Sequence, residues 1–248
     1  FFRTYYVPNN AILVVVGAVK KETLLPKIQA LFGGIPRRPD PPKVTTEEPP
    51  QVGERRVYVQ KEAELPVLFA VHHAPNLTHP DSYALQVLAY VLGGGESARF
   101  YKAAVYEKQL ASYAGADYNP VHVAPYIFGF SAYPLPGKTV EEIEQVLYAE
   151  VERLVREPLP DRELQKAKNQ IESEFIFAQD SAHHLAEMLG KYESVATWKL
   201  LDGFVDGVRK VTAADVQRVA QKYLVKENRT VAILVPVKAA AAPAGAGK

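Results

Sequence analysis

The sequence predicts an α+β fold, an antiparallel or mixed sheet with helices packed on one of its faces. Three features carry that expectation. Short runs rich in aromatic and β-branched residues alternate in the manner of half-buried strands. Between them lie stretches with apolar residues at helical spacing, the strongest being 139–156, where Ile143, Leu147, Val151 and Leu154 form one stripe. Glycine clusters and Asn-containing turns punctuate the two kinds of segment.

Taken in order, Ala11 to Val19 is a continuous β-branched run, expected to be a strand buried on both faces. Lys20 to Phe32 reads as a helix closed by Gly33-Gly34. Residues 36–54 hold six prolines, many charges and no periodicity, which reads as a linker because proline lacks the N–H and restricts the residue before it. Arg55 to Gln60 and Val67 to His73 follow as strands. Pro80 to Leu92 reads as a helix ending at Gly93-Gly94-Gly95, and Ala98 to Lys108 as a second helix. Leu110 to Tyr118 and Tyr126 to Tyr133 are strands. Thr139 and Glu142 form a capping box for the helix that runs to Arg156. Asp161 to Phe177, Ala182 to Val195, Trp198 to Val211 and a helix capped by Thr212 complete the helical set, before a last strand, Thr230 to Pro236. Residues 239–248 are a low-complexity tail, expected to be disordered.

An internal echo organises this list. Tyr6-Val7-Pro8-Asn9-Asn10 leads into the run at Ala11, and Tyr223 to Asn228 leads into the strand at Thr230. Both read as helix end, polar turn with Asn, apolar strand. A duplicated domain explains the pair. Residues 1–35 are then the remnant of one copy, 55–238 the whole of the other, and 36–54 the exposed connection between them. Phe1 to Tyr6 reads as the end of a helix whose start lies upstream.

Bulk properties exclude several classes. The 248 residues are 48% hydrophobic and 23% charged, with a net charge of +1, ordinary for a globular protein and without the basic excess that nucleic acid calls for. There is no cysteine, so disulfides and thiolate metal sites are ruled out. No apolar run is long enough to span a bilayer. The compartment stays open between periplasm and cytoplasm.

Three segments together carry a resemblance. FFRTYYVPNNAILVVVGAV is similar to the segment closing the zinc-bearing domain of M16 (pitrilysin/insulinase-like) peptidases. HPDSYALQVLAYVLGGGESARFYKAAVYEKQLASYAGA resembles the opening of their second, non-catalytic domain, and VTAADVQRVAQKYLVKENRTVAILVP its closing helix and strand. Tyr106-Glu107-Lys108-Gln109 departs from the Arg-Glu-Lys-Arg-Gly-like stretch frequent in the family, and Gly17-Ala18 from Gly-Asp. The resemblance implies an M16 metallohydrolase-like C-terminal half, with 1–35 the tail of the zinc-bearing domain. It implies a parent that is a zinc-dependent endopeptidase of bacterial type acting on unfolded peptides, with zinc held outside this chain. It implies as partners a peptide substrate and the N-terminal half or an M16 partner subunit, in a homodimer or heterodimer. Two rivals stay open: a non-catalytic M16 homologue serving as partner subunit or structural core, and a ferredoxin-like small-ligand module.

The inverted HxxEH zinc motif of the family does not occur here. His183 and Glu187 stand i,i+4 and can in principle share a metal, but a solvated helix face is the simpler reading. His72 and His73 are neighbours on a strand and point to opposite faces. Gly93, Gly94 and Gly95 read as a helix C-cap or, through the resemblance, as a flexible loop facing the substrate chamber. Arg99 reads as an ion-pair partner or a contact for substrate carboxylates. Tyr118 and Tyr126 are the candidates for a donor to the reacting carbonyl. The charges at Glu141-Glu142 and Lys166-Lys168 read as solvated helix faces.

Overall fold

A computed structural model of the chain describes residues 1–43, 45 and 48–237. The tail expected at 239–248 lies outside the described residues. The chain divides into two compact units, one comprising residues 1–50 and 173–203, the other 51–172 and everything from Phe204 onward.

The second unit is built on a five-stranded sheet. Its strands are β1 (Arg55–Glu62), β2 (Val67–Ala74), β3 (Ala111–Tyr118), β4 (Tyr126–Pro134) and β5 (Arg229–Val237), in the order β1-β5-β2-β4-β3. β1 runs parallel to β5, and the other pairings are antiparallel, so the sheet is mixed. The last strand in sequence is thus inserted between the first two. Its neighbours are α3 (Ser82–Gly93), α4 (Val140–Arg156), α5 (Asp161–Ala178), α7 (Phe204–Lys210) and α8 (Ala213–Tyr223), of which α4 and α8 pack on the central strands and α3 on β3.

Alternation along the strands fixes which side the helices take. On β2, Leu68, Ala70, His72 and Ala74 are buried while Phe69 and His73 are exposed. On β4, Phe128 and Phe130 are fully enclosed, with the Phe130 ring edge-on to Phe128 at 5.8 Å and to Phe100 at 4.9 Å. Such pairs add about 0.5–1.5 kcal/mol beyond area burial. The predicted stripe of α4 supplies the opposing surface: Ile143, Leu147, Val151 and Leu154 are all buried, each contributing roughly 1.5–3 kcal/mol on removal from water. The helix starts where its box predicts, with Thr139 Oγ1 accepting from Glu142 N at 3.2 Å and Glu142 Oε2 accepting from Thr139 N at 2.9 Å. Thr212 and Asp215 form a second box at the start of α8.

Polar side chains lock the layers together. Asp81, before α3, accepts from Arg218 at 2.6 Å, Lys222 at 3.0 Å and Tyr223 at 2.8 Å, all on α8. Burial alone would raise its pKa, but these three donors outweigh it and hold the carboxyl down at about 2. Glu54 ties β1 to β5 by accepting from Arg56 and Arg229, each at 2.6 Å, and Arg56 reaches on to Glu144 of α4.

Two expectations are corrected and one is refined. The helix expected over Ala98 to Lys108 forms, and Tyr101–Glu107 within it winds as a π-helix. The wider winding buries the consecutive Ala103 and Ala104, and an apolar pattern cannot distinguish it from α before the fact. Trp198 to Val211 is a 3-10 turn, Trp198–Gly203, followed by the short α7, two glycines lowering the helical propensity of the stretch. Lys168 is not solvated: it is buried and donates to the Arg209 carbonyl at 2.9 Å.

The first unit contains α1 (Phe2–Tyr5), α2 (Lys21–Phe32) and α6 (Ala182–Val195), with the 3-10 turns Pro8–Asn10 and Trp198–Gly203. The strand expected over Ala11 to Val19 is absent. Ala11 is extended, residues 11–16 join no ladder among the described residues, and Ile12 and Leu13 stand more than half exposed. An extended apolar segment becomes a strand only beside a neighbour that accepts its hydrogen bonds. The described residues within 36–54 form neither helix nor strand. Near its start, Asp40 accepts from Asn9 at 2.7 Å and from Arg37 at 2.6 Å.

Candidate functional site

With helices on one side only, the other face of the sheet is open. The strand registers place Phe69 of β2 opposite Ser131 of β4, and Tyr133 of β4 opposite Tyr113 of β3. Phe69, Tyr113 and Tyr133 are 46%, 43% and 39% exposed, large for the aromatic side chains of the central β2 and the penultimate β4, with Tyr113 on the edge strand β3. The two tyrosine rings lie 5.5 Å apart. Val57 and Val59 of β1 extend the same apolar face. Two glycines keep it low. Gly115 lies beneath the Tyr113 ring, where a Cβ would collide with the hydroxyl, and Gly129 lies beneath Asp117. Desolvation by the surrounding side chains raises the pKa of the Asp117 carboxyl. A broad, shallow surface of aromatic rings with one carboxylate can hold an extended chain by its side chains and one basic group.

The glycine-rich stretch sits on the helical side. Gly93 ends α3 hard against β3, where any Cβ would strike the Ala116 backbone, so its glycine is required by close packing. Gly95 has φ +94°, the left-handed region, and turns the chain toward the π-helical segment. The Gly94 carbonyl accepts from Gln170 of α5 at 3.3 Å. Arg99 is buried and donates from Nε to Glu163 at 2.8 Å. Tyr118 is also buried: its ring stacks on Phe128 and its hydroxyl donates to the Pro75 carbonyl at 2.6 Å. Tyr126 is exposed at the start of β4 and stacks on His122 at 3.8 Å. The structure therefore gathers Gly93, Gly94, Gly95 and Arg99 around one helix end and places the two tyrosines where β3 ends and β4 begins.

The histidines do not converge. His72 is enclosed beside Phe130 and Tyr148, whereas His73 faces outward. Burial first, and the nearby Arg229 second, push the His72 pKa down to about 4, so it is neutral at pH 7. Glu187 is paired with Lys191 at 2.7 Å on an exposed face of α6. No group of three or more His, Asp or Glu side chains is gathered among the described residues. The donors present do not fit a zinc ion.

The family described as "Peptidase M16 inactive domain" matches residues 1–171. The chain belongs to the M16 peptidase family. The zinc protease PqqE of Helicobacter pylori is 27% identical over 242 residues, covering 95% of this chain and 54% of that protein. The ubiquinol-cytochrome-c reductase complex core protein I of Euglena gracilis is 26% identical, covering 92% of this chain and 51% of that protein. A solved protease from Helicobacter pylori superposes with a TM-score of 0.89 at 26% identity, covering 94% of this chain and 57% of that one. The chain thus spans about half the length of the curated relatives it matches.

In this M16 domain the Asp of His79-Pro80-Asp81 is the anchor between α3 and α8. Sequence reasoning missed the open-face residues Phe69, Tyr113, Tyr133 and Asp117. The alternation of Tyr133 against Phe128 and Phe130 was the available signal, because it places Tyr133 on the opposite face.

Proposed function

We propose that this chain is the C-terminal, substrate-facing half of a zinc-dependent M16 endopeptidase that acts on unfolded peptides. The carrying observation is the open sheet face with Phe69, Tyr113 and Tyr133, backed by the name zinc protease carried by a relative such as PqqE. In this reading the metal and its bound water belong to the zinc-bearing half. The present chain binds and orients the peptide and keeps water from the enclosed chain. Among the residues singled out from sequence, Gly94, Gly95 and Tyr126 remain candidate peptide contacts. Gly93, Arg99 and Tyr118 hold the scaffold through close packing, an ion pair and a backbone hydrogen bond.

A second reading, a non-catalytic partner or core subunit, is favoured by the similarity to a respiratory-complex core protein. One experiment tests both. Hydrolysis of an unfolded peptide is measured with this chain alone and with the zinc-bearing half, joined to it or supplied as a separate subunit. The first reading expects no activity alone and chelator-sensitive activity together. Chelator-resistant hydrolysis by the chain alone overturns both, and a complex without activity favours the second.

A further inference from the structure

A cleft of about 410 Å³ opens on the helical side of the sheet, between the end of α3, the segment leading into the π-helix, and the first turns of α5. Lys102, Arg162 and Lys166 line it, together with Ser97, Gln170 and Glu163. Arg162 and Lys166 stand i,i+4 on α5, so one helical face presents both. Lys102 comes from a different element about 60 residues away in sequence, so the cluster is made by the fold.

The charges in this cleft are not balanced from within. Its one carboxylate, Glu163, is engaged by Arg99, a buried guanidinium whose Nη1 has no hydrogen-bond partner among the described residues. None of the three lining cations has a carboxylate within ion-pair distance among the described residues. Lys166 instead donates to the Ser97 hydroxyl, which fixes its ammonium against the wall. Ser97 and Gln170 add neutral donors, and Ala98 and Ala167 give an apolar floor. Three cations lining one cleft repel one another until an anion sits among them, and an anion with several oxygens satisfies them together through charge-assisted hydrogen bonds.

We propose that this cleft is a binding site for a small polyvalent oxyanion, carrying phosphate or carboxylate groups. The site lies in the helical layer, on the opposite side of the sheet from Phe69 and Tyr133, and borders the glycine-rich turn through Gln170 and Gly94; it does not rest on the proposed function. Its occupant ties α5 to the glycine-rich turn that α5 already holds through Gln170 and Gly94.

The test is titration calorimetry of the 248-residue chain with inorganic pyrophosphate and, separately, citrate, at constant ionic strength. Saturable one-to-one binding of either anion is expected. It should weaken at least about tenfold in the triple variant Lys102→Gln, Arg162→Gln, Lys166→Gln, since each charge-assisted bond outweighs a neutral one. The control Lys138→Gln, Lys226→Gln, which removes two exposed charges elsewhere, should bind as the parent does. Preference for pyrophosphate assigns a phosphate ligand, and preference for citrate a carboxylate. Absence of saturable binding of both anions, or binding unchanged in the triple variant, overturns the proposal. Lys102 and Arg162 are exposed, so loss of fold does not mimic loss of binding; a Lys102→Gln, Arg162→Gln variant checks this directly.

Discussion

The same turn occurs twice in this molecule, with opposite outcomes. At Pro8–Asn10 and at Lys226–Asn228 an extended valine, Val7 or Val225, enters a 3-10 turn. In each copy the closing asparagine donates from Nδ2 to the carbonyl of a tyrosine five residues back: Asn10 to Tyr5 at 3.0 Å and Asn228 to Tyr223 at 2.8 Å. The bond also corrects the alignment of the repeat by one residue, because Tyr5, not Tyr6, is the counterpart of Tyr223. Beyond the turn the copies diverge. Residues 229–237 become β5, flanked by β1 and β2, with Val231 and Ile233 buried. Residues 11–16 have an equally apolar sequence and stay outside any ladder among the described residues. Local sequence therefore builds the turn and the extended residue that follows it, while neighbours decide whether a strand results.

Core truncation should break this comparison most strongly. Ile233→Ala leaves a cavity in a filled layer and should destabilise the chain by about 2–5 kcal/mol in denaturant unfolding, whereas Leu13→Ala, at an exposed site, should stay within about 0.5 kcal/mol. Equal losses at the two sites would mean that residues 11–16 are as deeply packed as β5.

Acid should separate the two regions next. His72 lies opposite Arg229 in the β2–β5 register, and its folded pKa of about 4 lies below the ordinary 6.5. Its neutral form fits the fold, so the unfolded chain binds the extra proton. Its contribution is complete above pH 6.5 and is lost as pH falls from 6.5 toward 4, a difference of about 3 kcal/mol at most. Asp81 acts in a lower window: its contribution is present above pH 3.8 and is lost as pH falls toward 2. Unfolding midpoints measured from pH 7 to pH 4 should fall in the parent chain and flatten in His72→Phe. An unchanged slope in the variant would remove His72 from the account.

The smallest effect lies in the turn itself. Asn228 also donates to the His73 carbonyl at 2.9 Å, tying the turn to β2, whereas Asn10 has no such second bond among the described residues. Asn228→Ala should cost about 1–2 kcal/mol and Asn10→Ala about 0.5–1 kcal/mol, read from the same unfolding curves.

The sequence made much of this legible, for reasons that differ by region. The α4 stripe and the Thr139 box depend on spacings within one turn or two, so they are visible without the fold. Ala11 to Val19 misled because a β-branched run reports burial potential and not the presence of partners. Lys168 misled in the opposite direction, since a lysine on a polar-looking helix gave no sign that the Arg209 carbonyl would receive it. The cationic cleft was invisible because Lys102 and Lys166 meet only after α5 packs beside the π-helical segment. The open sheet face was half legible: alternation sorts residues into two sets but does not say which set the helices cover.

The claim that the open sheet face meets the peptide can be tested directly because these 248 residues include no cysteine. Single cysteines at Phe69→Cys and Tyr133→Cys, and at Glu152→Cys on the exposed side of α4, would each carry a photo-activated cross-linker in the presence of an unfolded peptide. The account predicts peptide cross-links from positions 69 and 133 and little from 152. Cross-links of equal yield at all three positions, or confined to 152, would contradict it.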